Sequence, residues 1–238
     1  MAAMSKTWGG EFEQLELQNI SIAFLTHIHS DHSAGLSDLI LTPWVMGRST
    51  ELELFGPPGL QKMAEHITKA YEDDINYRLY GSQPANNTGY ISIVEEIEND
   101  GSIYKDKNVE VIAFKNDHGD FENSFGFLFI TKDKRILFSG DTGVSDNLMN
   151  YGENLDILVH EVYSSETFKN KTDDWQIYHN AHHTSSIDLG IIANKLKPKK
   201  LVLSHILFWG ATEESLLDDV KSNFDGNAII AKDLMVIR

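Results

Sequence analysis

The stretch Thr26-His27-Ile28-His29-Ser30-Asp31-His32 places four potential metal ligands within six positions, directly after the apolar run Ile22, Ala23, Phe24, Leu25. Imidazoles and a carboxylate crowded where a buried strand ends are costly to desolvate unless a cation gathers them. A strand alternates faces with period two, so His27 and His29 are expected to project the same way and clamp one ion from one side. Asp31 and His32 then fall on the turn beyond. Imidazole nitrogen with carboxylate oxygen suits zinc, with manganese or iron as the other occupants. Two ligands from the strand and two from the turn suggest two ions.

More ligand-type residues recur farther along, each at the expected end of a strand. Val109 to Phe114 leads into His118, and Arg135 to Phe138 leads through Ser139-Gly140 into Asp141. Leu155 to Val159 leads into His160-Glu161, and Leu201 to Leu203 into Ser204-His205. Strand ends are where α/β proteins build their sites. Ala181-His182-His183-Thr184-Ser185 precedes an expected helix from Ser186 to Lys197, which Thr184 or Ser185 can cap. His66, His179 and His182 are read as structural histidines. Phe208-Trp209-Gly210 and Trp44 lie near these motifs and serve either as pocket lining or as packing.

The elements that must carry these residues follow from periodicity and turn chemistry. A strand over Ile20 to Leu25 follows a polar start broken by Gly9-Gly10. A helical turn over Ser37 to Met46 is expected to be interrupted at Pro43-Trp44. Leu52 to Phe55 is a short strand closed by Gly56-Pro57-Pro58-Gly59, with an amphipathic helix over Leu60 to Tyr71. Gly81 to Tyr90 is a loop, and Ile91 to Ile97 a strand. Phe125 to Ile130 and Arg135 to Phe138 form a hairpin turning near Lys132-Asp133-Lys134. Glu213 to Phe224 is a helix, and Ala228 to Ile230 and Leu234 to Ile237 are closing strands.

The 238-residue chain has 41% hydrophobic residues, enough for a core, and a single domain over 1–238 of α/β or sandwich type is ordinary at this size. A formal charge of −16 argues against a general nucleic-acid binder, because phosphate backbones are held by clustered Lys and Arg. With no cysteine, any metal must be held by His, Asp and Glu. No apolar run reaches the roughly 18 residues of a transmembrane helix. Glu11, Glu13 and Glu16 stand where a signal segment would need apolar residues. Cytoplasm and periplasm both stay open.

His27-Ile28-His29-Ser30-Asp31-His32 is similar to the HxHxDH signature of the metallo-β-lactamase superfamily, and His118, Asp141 and His205 follow in that superfamily's order. His160-Glu161 and His183-Thr184-Ser185 look like the paired elements of its ribonuclease Z-like branch, which also contains arylsulfatase-like and phosphodiesterase-like hydrolases. The resemblance implies an αββα four-layer metallo-β-lactamase sandwich. It also implies that His27, His29 and His118 hold one zinc, that Asp31, His32 and His205 hold the other, and that Asp141 bridges them. Five neutral imidazoles and two carboxylates would leave such a pair of ions net positive, acidifying a bridging water. The pKa of a zinc-held water falls to about 7, so hydroxide is available near neutrality. By the same resemblance His183 protonates the leaving group, Glu161 holds its imidazole, Asp31 orients the nucleophile or accepts its proton, and His160 plays a supporting part.

What the resemblance implies, then, is a dinuclear zinc hydrolase for a small phosphodiester or sulfate ester. The competing readings are a tRNA 3′-end endonuclease and a metal-stabilised, non-catalytic binding module. The short intervals between His118, Asp141 and His160 leave no room for a tRNA-gripping arm, so tRNA is not the expected partner. Members of the family carry strands ahead of the HxHxDH strand, and the short segment before Ile20 implies that the first of these are missing. A homodimer that covers an exposed sheet edge fits the branch.

Overall fold

The computed structural model describes residues 16–237. The Gly9-Gly10 break lies outside the described residues. The chain divides into two compact units, Met1–Glu98 and Asn99–Arg238.

The first unit is built on a parallel three-stranded sheet in the order β1-β2-β3, formed by β1 (Ile22–Phe24), β2 (Leu52–Gly56) and β3 (Ser92–Glu96). After β1 come α1 (Ser30–Ser33) and α2 (Leu36–Val45); α3 (Leu60–Ala70) and α4 (Glu72–Tyr80) lie between β2 and β3. Parallel pairing requires these crossovers, and their inward residues supply the core: Leu36, Ile40 and Trp44 from α2, Leu52 and Leu54 from β2, Leu60 and Ala64 from α3, and Ile75 from α4. Helix α3 starts beside β3, whose Glu96 carboxylate accepts from the Gly59 and Gln61 amides at 2.7 and 3.0 Å. That negative charge satisfies otherwise orphaned N–H groups at a helix N-terminus.

The helix expected to break at Pro43 instead runs through it to Val45. Proline cannot donate to the Leu39 carbonyl four residues back, and Arg48 replaces the missing donor, Nη1 reaching Leu39 O at 3.3 Å. The same guanidinium donates to Ile40 O at 2.6 Å, Ile20 O at 2.9 Å and Gly89 O at 2.8 Å. Arg48 is 1% exposed, and burial pushes its pKa down to about 10. The Gly81 to Tyr90 loop is irregular as expected, and it is held against Arg48. Asn86 Nδ2 donates to Arg48 O at 2.9 Å, and a Cβ on Gly89 would come within 1.9 Å of that oxygen. Helix α4 was not foreseen, because its face carries Glu72, Asp73, Asp74 and tyrosines and buries Ile75.

The second unit contains a seven-stranded sheet in the order β10-β9-β8-β7-β6-β5-β4. Its strands are β4 (Gly101–Lys105), β5 (Val109–Lys115), β6 (Phe125–Thr131), β7 (Arg135–Phe138), β8 (Ile157–Tyr163), β9 (Lys200–Leu207) and β10 (Ala228–Ile230). From β4 to β7 the pairing is antiparallel, including the expected hairpin of β6 and β7, and from β7 to β10 it is parallel. The helices are α5 (Asp146–Tyr151), α6 (Ser165–Phe168), α7 (Asp173–His182), α8 (Ser186–Leu196) and α9 (Glu213–Lys221). Leu158, Leu201 and Leu203 from the sheet pack with Leu189, Ile192, Leu216 and Val220 from α8 and α9.

Three expectations need correction here. Leu234–Ile237 forms no strand; Met235 N turns back to Lys232 O and Leu234 takes a φ of 65°, so the segment does not extend the sheet. His160-Glu161 lies inside β8 and His205 inside β9, not at the strand ends: His160 and Glu161 pair in the ladder like their apolar neighbours, and the strand continues past His205 through a bulge. Helix α7, which carries Trp175 and Tyr178, was not among the elements expected from the sequence.

Arg48 yields a stability prediction. Arg48→Met keeps the stem but leaves several buried carbonyls without donors, so chemical denaturation should show a loss of about 3 kcal/mol.

Candidate metal centre

In the first unit the ligand-type residues converge just past the sheet. His27 and His29 lie beyond the end of β1, and Asp31 and His32 sit on α1. His27 is fully buried, with Nε2 3.1 Å from His29 Nδ1 and Nδ1 3.1 Å from Thr26 Oγ1. The His32 ring centroid is 4.1 Å from that of His27, and His32 Nε2 is 3.5 Å from Asp31 Oδ2. Ser33 Oγ donates to the carbonyls of Ile28 and His29 at 3.2 and 2.9 Å, which pins the loop that carries the imidazoles.

The second unit gathers His118, Asp141, Glu161, His183 and His205. His118 follows β5 and is buried; its Nδ1 donates to the His182 carbonyl at 2.8 Å, which fixes Nε2 as the lone-pair nitrogen. Burial pushes its pKa down to about 4. Asp141, 3% exposed, follows β7; its Oδ2 is 3.5 Å from His205 Nε2 and 4.0 Å from His183 Nδ1. One ligand atom from each of Asp141, His183 and His205 lies within 4.8 Å of the others, a spacing that can hold a metal ion.

The position of His205 is set by a bulge. Glu161 pairs with Ser204 and Val162 with Ile206, leaving His205 as an extra residue with a φ of 43°. A bulge re-aims one side chain out of the alternation, and a non-glycine residue held in left-handed conformation is a strain that functional sites commonly carry.

His183 ends α7 in an extended conformation, and Thr184 pairs across to β8, Tyr163 N donating to Thr184 O at 2.9 Å. The Thr184 amide in turn donates to Glu161 Oε1 at 2.7 Å, and the Thr142 amide reaches the same oxygen at 3.4 Å. Glu161 Oε2 lies 3.5 Å from His183 Nδ1. Burial first, then the charge of Asp141, pushes the Glu161 carboxyl well above the usual carboxylate range. Ser185, one of the two expected caps, caps α8 by accepting from Asp188 N.

His160 supports the cluster from inside β8, its Nδ1 donating to Glu161 O at 2.6 Å. It is 1% exposed, and burial pushes it down to about 4. His182 has a structural part: Nδ1 meets Tyr178 O at 2.8 Å and Nε2 meets Asp120 Oδ1 at 3.0 Å, while its carbonyl orients His118. This buttress was missed in the sequence. The one available signal was Gly119, whose φ of 58° and lack of a Cβ admit the His182 ring; a Cβ there would lie 2.3 Å from it.

Comparison with known proteins agrees with this chemistry. A family model described as the beta-lactamase superfamily domain matches residues 4–206. Ribonuclease Z of Mycobacterium bovis (strain BCG / Pasteur 1173P2) is 26% identical over 224 residues, covering 90% of this chain and 78% of that protein. Among solved structures, the metallo-beta-lactamase fold protein YhfI from Bacillus subtilis superposes with a TM-score of 0.67 at 18% identity, covering 98% of this chain and 81% of that one. Human tRNase Z, short form, gives 0.66 at 22% identity, covering 94% and 81%. The fold is therefore the metallo-β-lactamase fold, and its clustered imidazoles and carboxylates could hold divalent metal; the family match makes the chain a metal-dependent hydrolase. The chain belongs to the metallo-β-lactamase superfamily, in its ribonuclease Z-like branch.

His160 gives the site a pH signature. Its folded pKa lies below the usual 6.5, so the unfolded chain binds the extra proton between pH 6.5 and about 4. Its contribution to stability is therefore present above pH 6.5 and lost as pH falls toward 4. Denaturation of metal-free protein should show a slope over that window shallower by about 1.4 kcal/mol per pH unit in His160→Asn.

Proposed function

We propose that residues 1–238 act as one hydrolase domain that uses two zinc ions to cleave a small phosphodiester or sulfate ester. The observation that carries this reading is the cluster of buried Asp141 and His183 with half-buried His205, whose ligand atoms lie within 4.8 Å of one another, with Glu161 behind it. The donors fit a divalent metal. His118 presents Nε2 because Nδ1 is committed to a carbonyl, and the rest of the set is imidazole and carboxylate without cysteine. Following the resemblance, His27, His29 and His118 would hold one ion, Asp31, His32 and His205 the other, and Asp141 both. When bound, such ions supply Lewis-acid polarisation and a strongly acidified water.

The chain's own groups supply the proton traffic. Asp31, on the exposed side of α1, orients the nucleophile or takes its proton. His183 delivers a proton to the leaving oxygen from Nε2, because Nδ1 faces Glu161 and Asp141 at 3.5 and 4.0 Å. The Asp141 carboxylate stabilises the imidazolium before transfer, and Glu161 helps fix the ring's orientation. Glu161 is locked in turn by the Thr142 and Thr184 amides.

A tRNA 3′-end endonuclease is the second reading, favoured by the ribonuclease Z relative over 90% of the chain. That similarity weighs against setting tRNA aside, whereas the −16 charge weighs for a small substrate. Chelation should abolish hydrolysis of bis(p-nitrophenyl) phosphate or p-nitrophenyl sulfate, and added zinc should restore it. His183→Ala should lower kcat about 100-fold with metal content unchanged. Equal loss of metal and activity would make His183 a ligand, and cleavage of precursor tRNA far more efficient than either small ester would favour the second reading. No turnover of any of these by the zinc-loaded protein would refute both.

A further inference from the structure

The second unit carries a run of aromatic rings beside His183 that the chemistry above does not use. Trp175 stacks on His179 at 5.4 Å with 21° between planes, and His179 lies 4.5 Å from Trp209 and 5.6 Å from His183, centroid to centroid. Trp209 continues the run to Tyr163 at 5.6 Å. Tyr178 braces Trp175 edge-on at 5.6 Å. Burial pushes His179 down to about 4, which keeps its ring neutral between the two indoles. One end of the run is open, since Trp175 is 54% exposed. A cation stands on it as well: Lys171 Nζ is 4.2 Å from the Trp209 ring centroid.

The run is held by contacts from three segments rather than by mutual stacking alone. Gln176 Nε2 donates to Lys171 O at 2.8 Å, tying α7 to the segment before it. Thr167 Oγ1 donates to Phe208 O at 3.0 Å, and Ala211 N to the same oxygen at 2.9 Å, so the loop after β9 is closed on both sides. Within that loop Trp209 takes a φ of 46° and Gly210 a φ of 96°. A tryptophan in the left-handed region costs conformational energy, and the closed loop holds its indole against His179 and under Lys171.

We propose that Trp175, His179 and Trp209, with Lys171, form a stacking subsite for a flat aromatic group attached to the phosphate or sulfate of the substrate. This rests on the reading of His183 as proton donor, which places the leaving side of the ester next to the run. The ring stacks on the open indole, and the lysine favours ligands that carry an anion beside the ring. A nucleobase and a simple aryl ring share this chemistry.

Calorimetric titration of the zinc-loaded protein separates these sources and tests the site. Adenosine 5′-monophosphate should bind on the order of 10-fold more tightly than ribose 5-phosphate. Phenyl phosphate matching adenosine monophosphate would show that any aryl ring suffices; phenyl phosphate matching ribose 5-phosphate would restrict the subsite to a nucleobase. Trp175→Ala should erase the preference without changing ribose 5-phosphate affinity, and Trp175→Phe should retain most of it. Equal binding of adenosine monophosphate and ribose 5-phosphate by the unaltered protein, or an equal loss of both in Trp175→Ala, overturns the subsite. Because binding and not turnover is read, a chain that hydrolyses no ester refutes the hydrolase reading and leaves this result standing on its own.

Discussion

Two carboxylates, Asp141 and Glu161, are buried close to each other in the second unit, and much of the local architecture answers that constraint. A buried anion is tolerated only with donors or cations around it. Glu161 takes two backbone amides and the flank of His183; Asp141 takes His183 and His205. Each of these partners requires a local departure from regular structure. Beyond helix α7 the chain runs extended through Thr184, and Ser185 bridges to Tyr163 of β8, while His205 occupies a bulge in β9 with left-handed backbone. The strain concentrates where the charge is buried.

The first unit meets a related problem with the opposite sign. Arg48 is a buried guanidinium satisfied by main-chain carbonyls, among them the one that Pro43 deprives of a donor. It joins α2, the segment before β1 and the Gly81 to Tyr90 loop, which are the elements around the strand that leads to His27. Histidine donors follow directly from a frame fixed this way. In both units, ligand-type side chains are thus positioned by polar groups that are themselves buried and bonded, which is the arrangement a site needs to hold its geometry.

The chemistry was more legible in the sequence than its placement. His27, His29, Asp31 and His32 declare themselves by spacing, and His118, Asp141, Glu161, His183 and His205 by order, because a metal site demands particular side chains. The period-two argument for His27 and His29 does not hold, since both lie past β1, in the loop that Ser33 holds. His160 and His205 were placed at strand ends because polar residues usually terminate strands; here His160 pairs within the ladder and a bulge lets β9 continue past His205. The helix through Pro43 was illegible because its missing hydrogen bond is replaced by Arg48, from outside the helix. Helix α7 was hidden by a polar, aromatic composition, and the Asp120–His182 buttress by depending on a backbone carbonyl rather than on a motif.

The proposed hydrolase requires two metal ions with Asp141 as their shared ligand. The most direct measurement is metal stoichiometry by elemental analysis after zinc loading and gel filtration, on the unaltered protein and on Asp141→Asn, with folding checked by circular dichroism. Two equivalents falling to one or fewer in a folded variant is the predicted result. Fewer than two equivalents in the unaltered protein, or a variant that retains both, would contradict the account.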